Sequence, residues 1–188
     1  MDDFLWAGTI SFYDTIITKL KDKFLIGSSA SVTFTYVGLS VQTYSDGLTI
    51  DQNAYIASLN TIPITKNRAS NKKDTLSDYE KKAYRALVGQ LSWVTTHTRP
   101  DVAFEECALS VAFYNATIED LIRLNRVVET LQREHVNLFF PRLHNIGTCT
   151  IECYTDAAFN NLPNGNSQGC FIIFLQDTHG QRCPIFWE

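Results

Sequence analysis

The chain has 188 residues, a formal net charge of −4, 45% apolar residues and 19% charged ones. That is enough apolar material for a real core and too little charge for general disorder, so a wholly unstructured chain is excluded. No apolar run approaches the ~20 residues that span a bilayer, and the N-terminus lacks a basic stretch followed by an apolar one, so neither a membrane segment nor a secretory signal is expected.

Phe4–Ala7 reads as a short strand ending at Gly8, the second arm of a hairpin whose turn holds Asp2 and Asp3. Phe12, Ile16, Leu20 and Phe24 recur every four residues and predict one face of a helix. Ser11 is its expected N-cap, Lys19, Lys21 and Lys23 suit its C-terminal end, and Gly27 ends it. Val32–Val41 alternates and is rich in β-branched and aromatic residues, Ser45-Asp46-Gly47 supplies a turn, and Leu48–Gln52 a returning strand. Ala54–Leu59 adds a short helix. From Pro63 to Ser77 the chain is polar, basic and poor in large apolar residues, the pattern of a linker or mobile loop.

Three helices are expected next. The first runs from about Asp78 to Thr95 and stops before Arg99-Pro100, because proline disfavours helix in the residue before it. Pro100-Asp101 opens the second, which reaches about Tyr114, with Asp101 offsetting the free N–H groups of its first turn and Arg99 paired with it or with another acid. Thr117-Ile-Glu-Asp has the form of a capping box, and Leu121, Leu124, Val128 and Leu131 give the third helix a single apolar stripe. From Thr148 strands replace helices: Cys149–Thr155, Cys170–Leu175 and Pro184–Trp187, joined through Asn160–Asn166 and a turn at Asp177–Gln181. Such a sheet, with no helix after it, leaves one apolar face uncovered.

The five cysteines (Cys107, Cys149, Cys153, Cys170 and Cys183) leave one over from any complete pairing and read as reduced thiols; only Cys149 and Cys153 are closely spaced. The four histidines (His97, His135, His144 and His179) show no ligand spacing, and no nucleophile-elbow or phosphate-loop pattern occurs. Although the overall charge is unfavourable to a nucleic-acid binder, Lys66, Arg68, Lys72, Lys73, Lys81, Lys82 and Arg85 concentrate positive charge in the middle of the chain.

The run Tyr84–Ala108, YRALVGQLSWVTTHTRPDVAFEECA, resembles the segment that follows the polymerase core in copia-type retrotransposon polyproteins. MDDFLWAG at the start is similar to the catalytic aspartate hairpin of a reverse transcriptase, and Cys153–Leu175 to the opening of the ribonuclease H domain. The three blocks stand in the family's order. The resemblance implies an α+β architecture: the end of a palm with a primer-grip hairpin over 1–62, a basic linker over 63–77, and a three-helix thumb or connection region over 78–147. A three-stranded antiparallel ribonuclease H-like sheet, cut short, would occupy 148–188.

The resemblance further implies Asp2 and Asp3 as polymerase carboxylates and Asp156 as the first catalytic carboxylate of ribonuclease H, with Asp2 and Asp156 as ligands of Mg2+, an ion that prefers hard oxygen donors. By the same resemblance Tyr36 and Gly38 would hold the primer strand, while Lys66, Arg68, Lys72 and Lys73 would follow an RNA–DNA hybrid or primer-template. Met1 stands where the family places a residue preceded by tyrosine, and the partner carboxylates of both sites fall outside these blocks. The expectation is therefore a chain inactive alone, completed by the rest of the polyprotein. The alternative functions are a retained nucleic-acid or protein interaction module, or the non-functional product of a decayed element.

Overall fold

A computed structural model describes residues 4–24, 26, 28–160, 165 and 167–188. The fold is mixed α+β, with two antiparallel sheets of four and three strands and a helical core, which in sequence lies between the third and fourth strands.

The first helical segment differs from its expected form. Thr9, not Ser11, is the N-cap, accepting a hydrogen bond from the Phe12 N–H at 3.2 Å. A short α1 (Ile10–Phe12) passes into a π-helical turn at Tyr13–Ile17 and then α2 (Thr18–Lys23). The wider π turn breaks the four-residue stripe: Ile17 is buried, while Phe12 and Ile16 are exposed. Phe24 is already extended, at φ −120° and ψ 138°, and Gly27 lies outside the described residues. Residues 4–9 form no strand, so the expected Phe4–Ala7 arm is corrected to exposed irregular chain. Among the described residues no strand lies beside it to accept its backbone groups, so the four-residue apolar run has nothing to pair with.

The expected Val32–Val41 strand is two strands, β1 (Thr33–Tyr36) and β2 (Leu39–Thr43), folded over Val37-Gly38 with φ of 46° and 79°. Two successive positive φ values make the tight reversal that suits the twist of a hairpin. A Cβ on Gly38 would meet nothing within 4 Å, so glycine is required there by conformation and not by a close neighbour. β3 (Gly47–Asp51) returns antiparallel to β2. Its other edge receives β4 (Leu138–Pro141), which the sequence pattern does not reveal, with Gly47 opposite Pro141 and Ile50 opposite Leu138. Here close approach is decisive: a Cβ on Gly47 would lie 2.3 Å from the Phe140 carbonyl.

The core is helical. α5 (Asp78–His97) and α7 (Ile118–Arg133) each start with a complete capping box, Ser77 with Glu80 and Thr117 with Asp120. With α6 (Ala103–Val111) they bury Leu87, Val88, Leu91, Val94, Leu109, Leu121, Leu124 and Val128. Three-residue 3-10 turns flank α6, at Pro100–Val102 and Ala112–Tyr114.

The segment 53–77 belongs to this core and is not a loose linker. α3 (Asn53–Ser58), Leu59 and Ile62 pack on the helices, and α4 (Lys66–Ser70) is capped by Thr65. Leu76 is buried, its N–H donating to the Ala116 carbonyl at 3.1 Å. Few as the large apolar residues of 63–77 are, Leu76 joins the helical core and Ile64 packs against it. Asn125 of α7 completes the attachment, accepting from the Ile62 N–H and donating to the Ile62 carbonyl, both at 2.8 Å. The boundary drawn at 62 thus falls inside the helical packing, and the region 78–147 also carries a strand of the first sheet.

The second sheet is a meander of β5 (Thr150–Ala158), β6 (Gln168–Gln176) and β7 (Arg182–Trp187), each longer than expected, with β6 in the centre. Trp187 ties it to the helices by donating from Nε1 to the Thr95 carbonyl at 2.7 Å. The apolar residues Ile151, Phe159, Ile185 and Phe186 on its strands and margins are exposed.

Two stability measurements follow. Asn125→Ala strands a buried N–H and a buried carbonyl of Ile62, and a loss of about 2–4 kcal/mol is expected in urea denaturation. Val37→Asn replaces a β-branched residue at positive φ by one that tolerates it, and should raise stability by about 1 kcal/mol.

Candidate functional site

Asp2 and Asp3 lie outside the described residues. Asp156 stands within β5, opposite Cys170 of β6, with an exposed side chain. Its Oδ1 accepts from the adjacent Ala157 N–H at 2.8 Å. Among the described residues it belongs to no group of three or more His, Cys, Asp or Glu close enough to share an ion. Two-metal chemistry on phosphates needs several carboxylates converging on the ions, and Asp156 alone is not such a set. The described residues therefore do not fit a Mg2+ pair.

Tyr36 ends β1, half-buried beside the exposed Val37-Gly38 reversal on the outer edge of the first sheet. The basic residues lie elsewhere, on α4 and the turn that follows it. Lys66, Lys72 and Lys73 are exposed, with Lys72 within 3.7 Å of Glu119. Arg68 is differently occupied. Its guanidinium bonds Glu80 at 3.2 and 3.0 Å, Asp74 at 2.9 Å and the Thr75 carbonyl at 2.8 Å. A cation so committed holds α4 against the start of α5 and has little capacity left for a phosphate. Asp156, the Tyr36–Gly38 reversal and the lysines thus sit on separate elements.

Burial and neighbouring charge also decide what the other titratable groups can do. Burial pushes the Cys107 thiol up, Glu106 and Glu188 push it further, and a Gln168 hydrogen bond only partly opposes them. Burial likewise raises Cys183, helped by Cys149 and Asp177. Raised thiols are poor nucleophiles, which speaks against cysteine catalysis at either position. Glu106 is raised by burial against a hydrogen bond from Ser92. Tyr84 is pushed up by burial and then by Asp120, and its hydroxyl donates to the Leu109 carbonyl at 2.8 Å, a packing role.

One cluster escapes the sequence pattern altogether. His144, after β4, and His179, in the β6–β7 turn, stack with ring centroids 4.1 Å apart over Asp177. His144 Nδ1 lies 3.3 Å from Asp177 Oδ2. The buried carboxylate also accepts backbone N–H groups of His144 at 3.1 Å and of His179 and Gln181 at 2.9 Å. Burial pushes the Asp177 carboxyl up, but these donors and the nearby His144 outweigh it and leave the group below its ordinary value. Asp177 and His179 are close in sequence; His144 joins them only through the fold.

No protein-family model, curated protein or solved structure matches this chain. Among the described residues no helix is long and apolar enough to cross a membrane.

The Arg68–Glu80 pair gives a pH prediction. The Arg68 hydrogen bond is the main reason the Glu80 carboxyl falls from 4.5 to about 2, with Ser77 adding to it against burial. A folded-state value below the unfolded one stabilises fully above the unfolded value and is lost as pH falls. Stability should therefore decline between about pH 4.5 and 2. Arg68→Ala should flatten that limb in denaturation curves taken across the interval.

Proposed function

We propose that this chain is a segment of a copia-type retrotransposon Pol polyprotein, joining the end of a reverse transcriptase to the start of its ribonuclease H domain. The observation that carries this reading is the order of three sequence blocks, MDDFLWAG, Tyr84–Ala108 and Cys153–Leu175, with Asp156 in the first strand of an antiparallel three-stranded meander. On this reading the β1–β2 reversal corresponds to the primer grip, α5–α7 to the thumb or connection, and β5–β7 to the opening sheet of ribonuclease H. The parent activity is RNA-directed DNA synthesis with cleavage of RNA in RNA–DNA hybrids, using Mg2+ held by a full carboxylate set. Among the described residues Asp156 is the one carboxylate this reading assigns to such a set, and on this reading the isolated segment is expected to be inactive.

Genomic sequence on both sides of the coding region tests the origin. Open frames supplying an upstream palm aspartate and a downstream helix-borne glutamate are expected; flanks unrelated to a polymerase would overturn the assignment. Templated primer extension by the purified chain would contradict the claim that the isolated segment is inactive.

A second reading, retained binding to nucleic acid, is favoured by the exposed Lys66, Lys72 and Lys73. Cations that contact phosphates release counterions, so affinity falls with salt in proportion to their number. For an RNA–DNA hybrid, the triple Lys→Ala variant at these positions should reduce the log–log salt slope by about 2 to 3. An unchanged slope removes this surface from consideration.

A further inference from the structure

We propose that His144, Asp177 and His179 bind a divalent transition-metal ion, with zinc the best match to the donors. This inference is independent of the retrotransposon reading, which assigns none of the three residues. All three side chains offer a ligand atom, and those atoms lie within 4.8 Å of one another. Two donors on a tetrahedral zinc, each at about 2.0–2.2 Å, stand roughly 3.3–3.5 Å apart. The His144 Nδ1 to Asp177 Oδ2 separation of 3.3 Å already has that value.

The carboxylate is prepared as a ligand. Oδ1 is filled by the N–H groups of His179 and Gln181, so it fixes orientation. Oδ2 accepts one N–H from the His144 backbone and turns its remaining lone pair toward the imidazole. The Asp177 side chain has no exposure while that of His144 is 60% exposed, so the anionic donor is preorganised in the protein and the entry side is open to solvent. Two imidazoles with one carboxylate select zinc or a similar borderline ion over Mg2+, which favours oxygen donors and keeps its waters. Water would complete the coordination.

The site lies where it can act on the fold. His144 belongs to the connection leaving β4 of the first sheet, and Asp177 and His179 to the turn between β6 and β7 of the second. An ion held by all three would clamp the two sheets at a point already bridged by the Cys183 thiol, which donates to the Pro141 carbonyl at 3.3 Å.

The test uses the untagged full chain with Cys149, Cys153 and Cys170 replaced by serine, which removes the two exposed thiols and the half-buried Cys149 as competing ligands, and with folding verified by circular dichroism. Zinc chloride titrated in a calorimeter should bind one ion per chain. His144→Ala and His179→Ala should each weaken binding by about tenfold or more. Both histidines are exposed residues, so truncating either leaves no buried cavity. The thermal midpoint should rise with zinc, not with magnesium, and the rise should vanish in the double variant. Absence of saturable zinc binding overturns the proposal. So does affinity unchanged in either single variant, or a thermal shift that survives in the double variant.

Discussion

The buried guanidinium of Arg99 is the constraint on which the arrangement of this molecule turns. It is 1% exposed, and a charge so far from water must be fully hydrogen-bonded to be tolerated. Nε and Nη2 form a fork onto Asp101 at 2.9 and 2.8 Å, and Nη1 donates to the Glu134 carbonyl at 2.8 Å. Glu134 is the C-cap of α7, Asp101 lies in the 3-10 turn entering α6, and Arg99 itself follows α5. One planar side chain therefore fixes three helix ends relative to one another. Lysine, a point charge without the fork, could not meet these three demands at once.

The same pole of the helical core receives both sheets. Thr98 donates to Gln52 Oε1 at 2.8 Å, both side chains buried, which holds the exit of β3 against the end of α5. One turn earlier, the Thr95 carbonyl accepts the Trp187 indole N–H from β7. Because Arg99 fixes the α7 C-cap, it also fixes where the chain leaves for β4, which then completes the first sheet beside Gly47. The Thr95–Asp101 stretch is thus a structural joint between the helical core and the two sheets.

Reading the sequence captured what is local. The capping boxes at Ser77 and Thr117, the apolar stripe of α7, the helix stop before Pro100 and the three late strands all depend on residues a few positions apart. The corrections arise where a distant partner decides. Phe4–Ala7 has strand composition, but among the described residues no strand pairs with it. Leu138–Pro141 becomes a strand because Gly47 lets it approach β3. Residues 63–77 look like a linker until Asn125 and the Arg68–Glu80 pair are seen to hold the segment down. The pairing of Arg99 with Asp101, one of the two alternatives the sequence leaves open, was legible because both lie in one turn. The pairing of His144 with His179 was not, since only the folding of two sheets brings them together. The sequence also offered Asp156, Tyr36 and the lysines as site residues through resemblance, a route that carries roles without saying whether these side chains converge.

Burial is distributed unevenly, and this bears on what the molecule can do unaided. The helical core buries Leu91, Val94, Leu109, Leu121, Leu124 and Val128 almost completely. The described N-terminal helical segment, from Ile10 to Lys23, buries Ile17 and leaves Ile10, Phe12, Tyr13 and Ile16 exposed. The second sheet leaves Ile151, Tyr154, Ile185 and Phe186 in water. Segments with few buried apolar contacts open most readily, and a catalytic constellation needs its ligands held far more tightly than that. Asp156 stands on β5, whose side chains are almost all exposed, so packing does little to fix its position. Asp177 is the contrast. It is buried, tied by three backbone donors and faced by two imidazoles, and it is the carboxylate whose surroundings already hold it in a fixed position.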